Sequence, residues 1–311
     1  MRRILCFTLC ILLLTGCASQ PNAGNNTGGY TLTDDTGASV LVPKKPETVA
    51  VLLSSLADIW VTAGGRADIT VGETVERGFA DSDAILVDDG AGKTINLELL
   101  IASKPDLVLY SAELAGQLEC AGTLRDAGIP AAGFTVETFD DYLKVLKICT
   151  DILGTPERYE AYGTQVQKQV EERIASAKGL ENQPDILFVR AGSGAKYTKA
   201  KTAENHFVCV MLKELGTFNI AEKAPVLLDD LSVEEILLSD PDMIFYTTMG
   251  EESAGVAYME SLLADPVWQT MTAVKTGKVY QLPKELFQYK PNARWAEAYE
   301  YLINLLYGEL A

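Results

Sequence analysis

The sequence predicts an α/β protein of two Rossmann-like lobes, each with a central, mostly parallel sheet, joined by one long backbone helix. Three observations predict this fold. Short apolar runs of strand length alternate with helical patterns in both halves of the 311-residue chain. A helix–corner–strand unit recurs, since residues 97–109 are echoed by residues 233–245. Between the halves, residues 139–178 are helical in pattern and interrupted at Gly154-Thr155-Pro156, which predicts one long helix or a kinked helix pair.

The first half of the chain predicts a hairpin followed by an α/β lobe. Residues 30–43 form two strand-like runs around Asp34-Asp35-Thr36-Gly37, a sequence typical of a hairpin turn. The continuous apolar run 106–110 is typical of a strand buried in a parallel sheet. The elements expected in this half are strands at 48–53, 69–72, 106–110 and 129–134, and helices at 56–63, 97–101 and 114–127.

The second half repeats the same alternation of strands and helices. Its expected elements are strands at 185–190, 242–246 and 279–282, and helices at 207–215, 233–238 and 295–306. These patterns divide the chain into an N-terminal lobe (30–137), a helical linker (138–180) and a C-terminal lobe (181–311).

The N-terminus predicts export and lipid attachment. Met1-Arg2-Arg3 is followed by an apolar run from Ile4 to Leu14, so residues 1–16 are typical of a secretory signal peptide. The sequence Leu14-Thr15-Gly16-Cys17 resembles a bacterial lipobox, which implies that Cys17 carries the lipid. An ordinary signal peptide is the alternative. Residues 17–29 lack apolar side chains able to seed a core and predict a flexible tether.

The charge and histidine content exclude two classes of function. Asp and Glu number 43 against 26 Lys and Arg, which gives a formal net charge of −17. Loss of Arg2 and Arg3 with the signal peptide makes the mature chain more acidic still. A field of this sign repels a polyanion, so nucleic-acid binding is not expected. A single His nearly excludes sites built from several imidazoles, and we expect no metal site made of protein ligands and no cofactor.

Three cysteines remain after the signal peptide and Cys17 are set aside. They are Cys120, Cys149 and Cys209, and they are far apart in the sequence. An odd number leaves at least one thiol unpaired. Cys149 lies on a helical apolar pattern, so a buried small hydrophobic side chain is its expected role, while a disulfide between two of the three stays open.

Several short motifs, taken in order, resemble one family of proteins. They are Val49-Ala50-Val51-Leu52-Leu53-Ser54-Ser55, Lys104-Pro105-Asp106-Leu107-Val108, Asp126-Ala127-Gly128-Ile129-Pro130, Ser232-Val233-Glu234-Glu235-Ile236, Pro241-Asp242-Met243-Ile244, Asp265-Pro266-Val267-Trp268 and Pro291-Asn292-Ala293-Arg294-Trp295. With these motifs the chain resembles the helical-backbone class of bacterial substrate-binding proteins, which serve ABC importers of iron–siderophore complexes, haem and vitamin B12. The resemblance spans about residues 45–306.

The resemblance implies a lipid-anchored, extracytoplasmic receptor without catalytic activity. It would be a monomer that captures an iron–siderophore-type chelate between its lobes and delivers it to a membrane permease. Corrinoid or haem are the alternative ligands within the class. A surface enzyme or adhesin on the same fold is the alternative from another class.

Ligands of open parallel sheets bind beyond the carboxyl ends of the strands, so the residues that follow the predicted strands are the candidate contacts. In the N-terminal lobe these are Ser54, Ser55, Trp60, Glu73, Thr74, Arg77, Tyr110 and Ser111. In the C-terminal lobe they are Arg190, Ser193, Tyr197, Thr248, Met249, Phe287, Tyr289, Lys290 and Arg294.

Three cations among these candidates favour an oxygen-rich ligand. Arg190, Lys290 and Arg294 could hold carboxylate or chelate oxygens, although each could instead pair with a neighbouring acid. His206, the single histidine, is a possible axial ligand for haem. A capping or surface role is the commoner one at a helix start, where His206 is expected.

The resemblance also implies one acid on each lobe that docks against arginines of the permease. The motif positions indicate Glu234 in the C-terminal lobe. The N-terminal partner is uncertain because residues 73–94 depart from the family pattern, and Asp83, or Asp81, is the candidate.

Overall fold

The computed structural model describes residues 29–89, 94–178 and 183–308 of the chain. Two lobes flank a helical linker, and each lobe contains a mainly parallel sheet, as the sequence predicts. The signal peptide predicted at 1–16, Cys17 and all but the last residue of the tether lie outside the described residues.

The chain enters the N-terminal lobe through the predicted hairpin. Strands β1 (Gly29–Thr33) and β2 (Ser39–Pro43) pair antiparallel. Buried Asp34 organises the turn, since its Oδ1 accepts hydrogen bonds from the backbone N–H of Thr36 and Ala38 at 3.0 and 2.9 Å. Its Oδ2 accepts from the N–H of Gly133 at 2.8 Å and so ties the hairpin to the lobe's sheet.

The described part of the N-terminal lobe contains a parallel sheet of five strands in the order β5-β4-β3-β6-β7. The strands are β3 (Val49–Val51), β4 (Ile69–Thr70), β5 (Ile85–Leu86), β6 (Leu107–Ser111) and β7 (Ala131–Phe134). The helices are α1 (Ser54–Thr62), α2 (Gly72–Glu76), α3 (Leu97–Ala102) and α4 (Ala115–Asp126). Every residue of β6 is buried, which agrees with its continuous apolar pattern.

The linker is the kinked helix pair rather than one uninterrupted helix. Helix α5 (Phe139–Leu153) begins with a capping box between Thr138 and Asp141 and ends at Gly154, which has φ 70° and ψ 43°. This left-handed conformation breaks the helix, and Pro156 begins the next segment. That segment comprises α6 (Pro156–Tyr159), a π-helical turn (Glu160–Thr164) and α7 (Gln165–Ala177).

The C-terminal lobe has parallel strands in the order β10-β8-β11-β12, with β9 antiparallel to β8. The strands are β8 (Asp185–Ala191), β9 (Lys199–Ala200), β10 (Phe218–Asn219), β11 (Met243–Thr248) and β12 (Val279–Gln281). The helices are α8 (Phe207–Glu214), α9 (Val226–Asp229), α10 (Val233–Ser239), α11 (Glu252–Leu263), α12 (Thr272–Lys275), α13 (Lys284–Phe287) and α14 (Trp295–Tyr307). Single 3-10 turns occur at Ala195–Tyr197, Ile220–Glu222, Trp268–Thr270 and Asn292–Arg294.

The internal repeat of the sequence is also a repeat of structure. Helix α3 with strand β6 corresponds to helix α10 with strand β11. The corner residues Lys104 and Asp240 both have positive φ, 50° and 39°. Two residues after the corner, Asp106 or Asp242 accepts a hydrogen bond from a backbone N–H of a neighbouring strand segment. Each lobe therefore uses the same corner to turn a helix into a central strand.

The three cysteines of the lobes and linker are buried and unpaired. Burial raises the pKa of the Cys149 and Cys209 thiols. Cys149 is the small buried side chain that its helical pattern predicts, and the possibility of a disulfide among these three is not realised. Within the described ranges no helix is both long and apolar enough to cross a bilayer.

Replacing Gly154 by Ala should destabilise the protein through the backbone alone. An added Cβ would meet no atom nearer than 3.8 Å, so the cost is that of the left-handed conformation, about 1 kcal/mol. Gly122→Ala is the matched control. Gly122 lies within α4 with open space around it, and its replacement should stabilise by about 0.5–1 kcal/mol. Urea unfolding of both variants measures these changes. If Gly154→Ala loses no stability, the left-handed conformation at the kink is contradicted.

Candidate functional site

A cavity of about 350 Å³ lies between the two lobes, beyond the carboxyl ends of strands from both sheets. This is the position that the strand order predicts for a ligand site. Its lining consists of Leu52, Leu53, Ser55, Val71, Glu73, Ser111, Glu113, Leu114, Phe134, Val136, Glu137, Arg190, Gln288, Tyr289 and Lys290.

Arg77 organises the N-terminal wall of the cavity from behind. The guanidinium Nη1 donates to Ser54 Oγ at 2.8 Å, and the Ser54 hydroxyl donates to the Glu73 carboxylate. The same guanidinium lies 3.9 Å from the ring centroid of Tyr289 in the opposite lobe. Arg77 therefore positions both Glu73 and Tyr289 while its own side chain remains almost fully buried.

Tyr289 presents its ring to the cavity as a neutral phenol. Burial raises the pKa of its hydroxyl, and the neighbouring Glu73 carboxylate raises it further. The residue is therefore an aromatic wall with a hydrogen-bonding end, and it gives no anionic oxygen at neutral pH.

Two cations from the C-terminal lobe face the N-terminal lobe across the cavity. Arg190 is near the end of β8, and its Nε donates to Gln288 Oε1 at 3.2 Å. Lys290 Nζ lies 2.7 Å from Glu137 Oε1 and 4.6 Å from the ring centroid of Phe207. Burial lowers the pKa of both groups, and the Glu137 carboxylate opposes that shift.

The acids of the cavity form a second group opposite these cations. Burial raises the pKa of Glu113, and the charge of Glu137 and a hydrogen bond with it raise it further. Glu137 thus pairs with Lys290 and also influences the pKa of Glu113. With Glu73, the cavity lining carries three carboxyl groups and two cations, and Arg77 behind the wall adds a third cation.

Asn292 fixes the two lobes to each other beside the cavity. Its Nδ2 donates to the backbone oxygen of Ser55 at 2.9 Å and to Asp58 Oδ2 at 2.8 Å. Burial raises the pKa of Asp58, and the Asn292 hydrogen bond partly offsets the shift. Neither Asn292 nor Asp58 is among the contacts predicted from the sequence.

Six of the predicted contact residues line the cavity: Ser55, Glu73, Ser111, Arg190, Tyr289 and Lys290. Ser54, Thr74 and Arg77 lie behind the wall and are buried there. Ser54 and Ser55 were expected in a loop, whereas they form the first turn of α1.

Four other predicted contacts are core residues. Trp60, Tyr110, Thr248 and Phe287 are at most 1% exposed, and none lines the cavity. Trp60 donates its indole N–H to the backbone oxygen of Arg66 at 3.0 Å. Proximity to a strand end in sequence does not fix the direction of a side chain, and these four point into the packed layers instead.

The remaining predicted contacts lie on the surface or apart from the cavity lining. Arg294 is half-exposed and forms a bidentate pair with Glu297, three residues away on the same helical turn. This local partner satisfies the guanidinium outside the cavity. Ser193 and Tyr197 are exposed in the loop after β8, and Met249 lies outside the lining.

Part of the cavity wall lies outside the six predicted contacts. Its polar side chains are Glu113, Glu137 and Gln288, and its apolar surface is formed by Leu52, Leu53, Val71, Leu114, Phe134 and Val136. Most of them directly follow or end a predicted strand, so the same topological rule could have included them. Glu137 was placed at the boundary with the linker and was overlooked for that reason.

His206 caps helix α8 and does not line the cavity. Its Nδ1 accepts from the Val208 N–H at 3.3 Å, and its ring packs 4.7 Å from Phe188 and 5.1 Å from Phe207 between centroids. Burial, with the nearby cations Lys290 and Arg190, lowers the pKa of the imidazole well below its usual value. The capping role expected for a His at a helix start is therefore the one observed.

Across residues 29–89, 94–178 and 183–308, no group of three or more His, Cys, Asp or Glu side chains is arranged to hold a metal ion. Glu234 is exposed in the first turn of α10, and Asp83 is exposed beside Arg66, which also approaches Asp81. These acids lie where a partner protein could reach them.

Comparison with known proteins places this geometry in a family. A family model described as a periplasmic binding protein matches residues 49–286. An Fe(3+)-citrate-binding protein of Bacillus subtilis is 24% identical over 292 residues, which cover 89% of this chain and 87% of that protein. A vitamin B12-binding protein of Pectobacterium carotovorum is 26% identical over 175 residues, covering 56% of this chain and 62% of that protein.

A solved structure shares the fold. The periplasmic heme-binding protein RhuT from Roseiflexus, in its apo form, superposes with a TM-score of 0.69 at 21% identity. The superposition covers 84% of this chain and 98% of that one. The two-lobe architecture predicted from the sequence is thereby confirmed.

His206→Asn should remove a pH dependence of stability. Asn retains a side-chain acceptor at the cap. Because the folded-state pKa of His206 is well below its usual value, the unfolded chain binds a proton first as pH falls below about 6.5. The wild type should then lose about 1.4 kcal/mol of unfolding free energy per pH unit relative to the variant, until the folded-state pKa is reached.

Urea unfolding of both proteins at about pH 7.5 and about pH 5 measures this difference. A constant difference between the two proteins over that range would show that the folded-state pKa of His206 is not lowered.

Proposed function

We propose that this chain, which belongs to the periplasmic binding protein family, captures an iron–siderophore-type metal chelate between its lobes and delivers it to an ABC importer. The observation that carries the proposal is the inter-lobe cavity with Arg190 and Lys290 on one wall and the ring of Tyr289 beside them. Such chelates combine a compact organic frame with many oxygens, which guanidinium and ammonium groups bind well.

The size and hydrogen bonding of the cavity support a compact chelate. Its volume of about 350 Å³ is near the lower end of the range usual for small-molecule sites. Within the described part of the chain, the hydrogen bonds of Arg190 use its Nε and leave its two terminal nitrogens without a protein acceptor. Those donors are available to ligand oxygens, and the apolar side of the cavity covers the ligand's carbon frame.

A corrinoid is the second candidate ligand, favoured by the similarity to a vitamin B12-binding protein. The cavity would have to open to admit so large a ring system. Haem is the third, without His206 as its axial ligand, since that ring is packed between aromatic side chains. A binding role without catalysis is proposed in each case, in accord with the solute-binding relatives.

Membership of this family implies an extracytoplasmic location. We propose in addition that lipid on Cys17 anchors the protein to the outer face of a bacterial membrane and that the chain acts as a monomer. Asp83 and Glu234 are proposed as the acids, one on each lobe, that meet the permease. Both are exposed, which such contacts require.

Cys17→Ser should release the protein from the membrane. With no thiol at position 17, no lipid can be attached there, whereas Cys120→Ser should leave attachment unchanged because that buried thiol lies within the N-terminal lobe. Metabolic labelling with a radioactive fatty acid, followed by membrane fractionation, measures this. If the Cys17→Ser protein is still labelled and still found in the membrane fraction, the proposal of a lipid anchor at Cys17 is wrong.

Arg190→Gln should weaken ligand binding by about 30-fold or more, the effect of about 2 kcal/mol expected when one partner of a charge-assisted contact is removed. Arg294→Gln is the matched control, since Arg294 pairs with Glu297 outside the cavity, and its affinity should equal that of the wild type. Isothermal titration calorimetry with ferric citrate, ferric siderophores, haem and cobalamin measures the affinities. It is preferred to Trp fluorescence because all three Trp side chains are buried and would report weakly on a bound ligand. Binding of none of these compounds would refute the proposed function.

A further inference from the structure

The cavity contains more acids than a receptor for a polyanion would need. Its lining includes three carboxylates, Glu73, Glu113 and Glu137, against two cations, Arg190 and Lys290. Lys290 is already paired with Glu137 at 2.7 Å. Behind the wall, Arg77 compensates Glu73 through Ser54. Among the described lining residues this leaves Arg190 without a carboxylate partner and Glu113 without an ion pair, so a chelate with several uncompensated carboxylates would meet one available cation and the charge of Glu113.

The three carboxylates differ in what surrounds them. Glu73 accepts the hydroxyl of Ser54 and adjoins the Tyr289 hydroxyl, so its oxygens are engaged within the wall. Glu137 is engaged by Lys290. Glu113 is exposed at the mouth of the cavity, and in the described ranges no Lys or Arg forms an ion pair with its carboxylate.

The carboxyl of Glu113 is in an environment that favours an added positive charge. The charged groups that act on it are Glu137 on the segment after β7, Lys290 on the segment after α13 and Asp141 on α5. Partial burial of the carboxyl raises the pKa of Glu113, and the charges of the two acids raise it further, whereas Lys290 lowers it. An ammonium group placed between Glu113 and Glu137 would relieve the repulsion between them and form charge-assisted hydrogen bonds to both.

We propose that the cavity selects chelates that carry a protonated amine, with Glu113 receiving the ammonium group and Arg190 receiving chelate oxygens. This inference rests on the proposed function and narrows it to ligands of neutral or positive net charge. Polycarboxylate chelates are then the poorer ligands. Glu113 is the specificity-determining residue, and it recognises the amine of the ligand.

A ferric trihydroxamate with a free primary amine tests the proposal against the same compound with its amine acetylated. Calorimetry with the wild type should show the amine form binding about tenfold more tightly, the order expected for one charge-assisted hydrogen bond. Glu113→Gln should abolish that difference by weakening the amine form alone. Because Glu113 is exposed, the variant should retain the wild-type melting temperature, which is checked first.

Glu119→Gln is the matched control, since Glu119 is an exposed acid on α4 outside the cavity lining, and it should behave as the wild type. Ferric citrate is the third probe. Tighter binding of ferric citrate than of the amine form, or equal binding of the amine and acetylated forms, would overturn the inference while leaving the proposed function intact. Failure of every ferric chelate to bind would refute both this inference and the proposed function.

Discussion

The buried amide of Asn292 holds the two lobes in the orientation on which the site depends. It donates two hydrogen bonds from the C-terminal lobe to helix α1 of the N-terminal lobe, at Ser55 and Asp58. Its backbone adopts φ 49°, a left-handed conformation that Asn tolerates better than most residues. Loss of the amide would leave a buried carboxyl and a buried backbone oxygen without this donor, which is costly in a packed seam.

Contacts at the cavity itself also join the lobes, and these are electrostatic. Arg77 stacks on Tyr289, and Lys290 pairs with Glu137. These contacts satisfy Arg77, Glu137 and Lys290 within the protein, so a ligand must offer equivalent partners before it can displace them. The lobes are therefore joined by the amide of Asn292 and, at the cavity, by charged side chains.

The sequence was sufficient for the architecture because the signals for it are local. Apolar runs, glycines after helices and the repeated Pro-Asp corner at 105–106 and 241–242 give the strands, helices and lobes. The position of the cavity followed as well, since parallel strands bring their carboxyl ends to one edge. Ser55, Arg190 and Lys290 could therefore be placed correctly at that edge.

The side-chain directions at that edge could not be read in the same way. Trp60 and Phe287 were expected in the wall because they follow predicted strands, yet tertiary packing buries both. Arg294 was expected beside the ligand, but Glu297 satisfies it one helical turn away. Glu137 and Asn292 depend on contacts between residues more than 150 positions apart, for which a single sequence carries no signal.

The burial of all three lobe and linker thiols makes this protein convenient for chemical labelling. A thiol reacts as the thiolate, and burial raises the pKa of Cys149 and Cys209, so little thiolate is present and little of it is accessible. A single cysteine introduced at Leu114, which lines the cavity and is 39% exposed, would be the fast-reacting position. A dye attached there would turn the receptor into an optical sensor for its own ligand, with the native cysteines left in place.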